Sequence, residues 1–84
     1  MDMKRKEFVG NLVSEIDKIL LNDLKATKVD LESNYVDRAL YMYKVSGVEL
    51  TVMIEEEILE DKTTIICEKQ EIIDTIDKKI GKSL

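Results

Sequence analysis

Eighty-four residues, 44% hydrophobic and 37% charged, suffice for one domain with one core, are too few for two, and are too apolar for a disordered chain. With no histidine in the chain, Ser-His and Cys-His nucleophiles, the usual neutral-pH general base and most zinc sites are excluded. The net charge of −5 is concentrated in residues 29–61, which carry nine acids against two bases, a field that repels nucleic acid and anionic membrane and favours a basic protein partner.

The lone Cys67 has no partner for an internal disulfide, and the N-terminus lacks the apolar run of a signal peptide, so a reducing, cytoplasmic location is expected. Apolar runs of a few residues are too short for a transmembrane helix.

Taken in order, Phe8, Val9, Leu12, Val13, Ile16, Ile19, Leu20 and Leu24 share one stripe at helical spacing. They predict an N-terminal amphipathic helix ending near Asn22 or Asp23, with Asp2 as an N-cap against the unfavourable Lys4-Arg5-Lys6. Thr27 to Glu32 alternates polar and apolar residues, as a short extra strand or an extended link would, and Ser33-Asn34 is a turn signal.

Tyr35 to Ile58 then reads as one long hairpin turning at Ser46-Gly47. That turn pairs Val45 with Val48, Tyr43 with Leu50, Tyr41 with Val52 and Ala39 with Ile54 on an apolar face directed at the core. The other face pairs Lys44 with Glu49, Met42 with Thr51, Leu40 with Met53 and Arg38 with Glu55. Opposite-charge pairs thus bracket an apolar centre, and a one-residue slip would lose both of them.

A second turn is expected at Leu59-Glu60-Asp61-Lys62, and a third hairpin strand at Lys62 to Glu68. A two-residue loop would direct Ile65 and Cys67 to the core; a three-residue loop would direct Thr64 and Ile66 there. From Lys69 the period is helical again, with Ile72, Ile73, Ile76 and Ile80 on one stripe and Gly81 as the C′ residue. The expected fold is a single α+β domain, a two-layer sandwich. Its order is helix, antiparallel three- or four-stranded meander, helix, with both helices on one face.

Helix, three strands and helix is also the order of the double-stranded-RNA-binding domain, but Glu68-Lys69-Gln70-Glu71 stands where such a domain needs bases to meet phosphates. RNA binding is therefore not expected. Gly10, Gly47 and Gly81 are isolated and form no phosphate loop. Cys67 sits in an apolar strand without an adjacent base, as a buried small hydrophobe does. Glu55 and Glu57 share a strand face while Glu56 points away, so the Glu55-Glu56-Glu57 run does not converge on a metal.

With no catalytic, metal or cofactor motif, the sequence points to a non-enzymatic protein-binding module of adaptor, inhibitor or chaperone-like type. Its expected surface is Leu40, Met42 and Met53 on the hairpin's outer face, Arg38 and Glu55 at the rim, and Glu57, Glu60 and Asp61 at the acidic strand end. The alternative is a structural subunit that homodimerises through that face. A small carboxylate-based enzyme is a third class, lacking convergent acid–base groups.

Overall fold

The computed structural model describes residues 2–34 and 38–83, with side chains for all of these except 30–34, 82 and 83. Five strands and two helices follow one another as β1 (Lys4–Val9), α1 (Val13–Lys18, continued by a π-helical turn Ile19–Asp23), β2 (Thr27–Asn34), β3 (Arg38–Val45), β4 (Val48–Glu55), β5 (Lys62–Cys67) and α2 (Gln70–Ser83). The strands form one antiparallel sheet in the order β1-β5-β4-β3-β2.

The hairpin has the expected register at every pair, from Arg38 opposite Glu55 to Val45 opposite Val48. Ser46 and Gly47 have φ of 50° and 81°, the double left-handed turn whose twist matches that of the flanking strands. Its second strand is shorter than expected, ending at Glu55 rather than Ile58; its first is described from Arg38, and Tyr35 to Asp37 lie outside the described residues.

The N-terminal expectation is corrected. Lys4–Val9 is a strand rather than helix, and Asp2 precedes it instead of capping a helix. Its pairing partner is β5, more than fifty residues away, with Lys4 opposite Cys67 and Val9 opposite Lys62. Gly10, at φ 96°, ends the strand, and helix begins at Val13, where Asn11 Oδ1 accepts the Val13 N–H at 3.2 Å. The helix ends where expected, at Asp23. Left-handed Lys25 (φ 54°) then lets the Ala26 N–H reach the Leu20 carbonyl at 2.7 Å.

The segment from Thr27 is a strand, with a bulge between Val29 and Glu32, and it continues through the expected turn at Ser33-Asn34. The sheet therefore has five strands rather than three or four, and a strand precedes the first helix. Residues 56–61 connect β4 to β5, so Lys62 belongs to the strand and not to the turn. This six-residue loop has the parity of a two-residue one, and Ile65 and Cys67 accordingly face the core. The last helix runs to Ser83, placing Gly81 inside it rather than at C′.

One core cluster joins Ile16, Ile19 and Leu20 of the first helix with Ile73, Ile76 and Ile80 of α2, and with Tyr43, Val45, Leu50, Val52, Ile65 and Cys67 of the sheet. Register parity puts those six sheet residues on one face. Tyr43 and Val52 are buried as expected, while Tyr41 and Ile54, towards the far end of the hairpin, are only half-buried. Thr63, on the same face, is fully buried: its hydroxyl donates to the Gly10 carbonyl at 2.7 Å and accepts the Leu12 N–H at 3.0 Å. That one side chain ties the β1–α1 connection to β5.

Candidate functional site: the open sheet face and the acidic loop

Alternation along paired strands fixes the neighbours on the face turned away from the core. Beside the hairpin turn stand Lys44 and Glu49. Val29, Met42, Thr51, Ile66 and Arg5 cross the sheet next, then Leu40, Met53, Thr64 and Glu7, and finally Arg38, Glu55, Lys62 and Val9. The pattern is an apolar centre inside a charged rim. Leu40, Met42 and Met53 are brought together there, and none of them belongs to the core cluster. They are half-buried rather than fully exposed, because side chains of adjacent strands pack against one another across the face.

Lys62 organises one side of the rim. Its Nζ lies 3.3 Å from Glu7 Oε2, 3.3 Å from Glu57 Oε1 and 3.7 Å from Glu55 Oε1. Hydrogen bonds to Glu57 and then Glu7 hold the ammonium above its ordinary pKa, with the charges of Glu7 and Glu55 adding to the effect. Glu55 ends β4 and Glu57 lies in the loop after it, so the two do not line one strand face as expected, but both reach the same cation, Lys62. Glu55 is half-buried rather than exposed. So is Asp61, whose carbonyl accepts the Gly10 N–H at 2.6 Å; Glu57 and Glu60 are exposed.

Sequence reasoning misses the apolar pair at the centre of this loop. Ile58 is fully exposed and Leu59 is 94% exposed, between Glu56-Glu57 and Glu60-Asp61. Nothing in the run Glu56-Glu57-Ile58-Leu59-Glu60-Asp61 marks where the strand stops, so sequence alone places Ile58 in the hairpin strand and Leu59 in a turn.

On the core side, α1 and the sheet edge build a polar cluster. Tyr43 Oη donates to Asp17 Oδ1 at 2.6 Å, and Lys28 Nζ lies 3.5 Å from the same oxygen. The ammonium stands 5.7 Å from the Tyr41 ring centroid and 5.9 Å from that of Tyr43, within reach of both π-faces. Burial, the hydrogen bond to Asp17 and the nearby carboxylate charge all raise the Tyr43 pKa, so the phenol stays protonated. This arrangement braces the helix against β2 and β3.

Cys67 is a free, buried thiol. Among the described residues no group of three or more Cys, Asp and Glu side chains is placed to hold a metal ion, and no helix is long and apolar enough to cross a membrane. The strand-first order also departs from the helix-first order of double-stranded-RNA-binding domains. What the face and loop can do chemically is present apolar area, rimmed by charge, to another surface. Comparison with protein-family models, curated proteins and solved structures finds no significant match to the chain.

Proposed function

We propose that this chain is a small non-enzymatic protein-binding module, adaptor-, inhibitor- or chaperone-like, that works through the open face of its sheet and the acidic end beside it. In this reading both helices lie on the inner face, making two layers, and no described element is left to cover the other. The observation that carries the reading is the apolar centre of that uncovered face, Leu40, Met42 and Met53 with Val29 and Ile66 beside them. Clustered apolar side chains ringed by charge mark contact surfaces, and methionines let such surfaces adapt to a partner.

The acidic end complements this centre. Glu56, Glu57 and Glu60 are exposed around Ile58 and Leu59, so a basic partner would be steered by the acids and held by apolar contact. The test is capture from the source cell's extract on immobilised wild-type chain and on Met53→Glu, at low and high salt. A charge at the centre of a desolvated contact should cost about 2 kcal/mol or more of binding, while the half-exposed position leaves the fold intact. Loss of the captured protein on Met53→Glu, with an unchanged circular dichroism spectrum, is expected. Equal capture by the two proteins would show that the open face is not the working surface.

A further inference from the structure

We infer that the occupant of the open face is a second copy of this chain, stacked sheet on sheet about a two-fold axis running along the β3–β4 hairpin. The inference rests on the reading of that face as the working surface and names what covers it, leaving the acidic loop of residues 56–61 as the part that would meet a basic partner.

Cross-strand pairing supplies the argument. A two-fold axis parallel to the strands and midway between β3 and β4 sets each β3 residue over the position of its own β4 partner in the other copy. Lys44 therefore meets the second copy's Glu49, and Arg38 meets its Glu55. Leu40 meets Met53 and Met42 meets Thr51, while Val29 of β2 falls over Ile66 of β5. Every charge on the hairpin meets its opposite, and the apolar centre closes on itself. Aligned sheets pack about 10 Å apart, close enough for these side chains to interdigitate.

Neighbouring axes fail the same test. Over the centre of β4 the axis sets Glu49 on Glu49, Glu55 on Glu55 and Arg38 on Lys62. Midway between β4 and β5 it sets Leu40 on Glu7 and Met42 on Arg5. Among these axes the one between β3 and β4 alone matches both charges and apolar residues, and a self-complementary patch of this kind is what a closed two-fold dimer requires.

Two charge variants test it, Arg38→Glu with Lys44→Glu, and Glu49→Lys with Glu55→Lys. By sedimentation at high micromolar concentration the wild type should be a dimer and each variant alone a monomer. Mixed in equal amounts, the variants should form a one-to-one heterodimer, which native mass spectrometry identifies. Within each variant chain the cross-strand neighbours remain like-charged, so recovery on mixing can come only from contacts between chains. Should replacement of Glu55 unfold the chain by releasing Lys62, the exposed pair Lys44→Glu and Glu49→Lys provides the same cycle, each raising the dimer Kd about tenfold and the mixture restoring it. A monomeric wild type, folded variants that still dimerise alone, or folded variants that stay apart when mixed would each overturn the inference. A monomeric wild type leaves the protein-binding reading standing, since that fails separately, on indifference to Met53→Glu.

Discussion

Thr63 and Thr64 are adjacent, both completely buried, and on opposite faces of β5, so one substitution made at each isolates what a hydroxyl contributes. Valine keeps the shape and the strand preference of threonine and removes the oxygen. At Thr63 it deletes the acceptor of the Leu12 N–H at 3.0 Å and the donor to the Gly10 carbonyl at 2.7 Å. Each bond contributes about 1 kcal/mol net, and the orphaned backbone groups belong to half-buried residues that water can partly reach, so Thr63→Val should cost about 2 kcal/mol. For a domain of this size that is a fall of about 8–16 °C in Tm. The Thr64 hydroxyl is buried with no hydrogen-bond partner, so Thr64→Val should be neutral or should stabilise by up to about 1 kcal/mol. Urea titrations compare the two at constant m-value, and the midpoints should move in opposite directions or one should not move at all. Equal destabilisation by both would refute the reasoning, because it would give Thr64 a partner of the same weight as the β1–α1 connection.

Tyr43→Phe removes the 2.6 Å bond to Asp17, which keeps its contact with Lys28, and should cost about 1–2 kcal/mol by thermal melting. Because the folded phenol titrates above its unfolded value of about 10, its contribution is complete below that pH and is lost as pH rises beyond it; the variant should lack this part of the alkaline limb. Lys62 acts in the same direction, since its folded pKa is also raised, and Lys62→Met should leave Glu7, Glu55 and Glu57 mutually repelling. Its loss of stability should therefore be larger at low salt than at high salt, and a salt-independent effect would point to lost packing instead.

The hairpin was legible because everything that specifies it is local: a two-residue turn, strict alternation, and charge pairs that only one register preserves. The first strand was not. Phe8 and Val9 fall by position onto the helical stripe of Leu12 to Leu24, and nothing within a window of that length reports that β5 offers a free edge. Missing β1 hid its consequences too. Glu7 reaches Lys62 and Gly10 reaches Thr63 only once that strand is in the sheet, so the Lys62 side of the charged rim and the ties of the β1–α1 connection were both invisible. The face of Leu40, Met42 and Met53 was legible from alternation alone, whereas the exposure of Ile58 and Leu59 depends on where β4 stops, and a run of apolar and acidic residues does not mark that point.

The two edges of the sheet explain why association should use its face. A free edge offers unpaired N–H and C=O groups to any passing strand, and proteins block it with charge or irregularity. At one edge here β1 exposes Lys4, Arg5, Lys6 and Glu7 in succession; at the other, β2 breaks its register with a bulge between Val29 and Glu32. Burying such an edge against another strand would desolvate three cations in a row or force the bulge flat, and neither is compensated by a backbone ladder this short. The open face carries no comparable obstacle at its centre. Its hairpin charges stand at the rim with opposite signs in register, so covering the face buries apolar area while each of them stays beside an opposite charge. With both edges guarded in this way, the proposed association is directed to the face that carries Leu40, Met42 and Met53 and to the loop beside it.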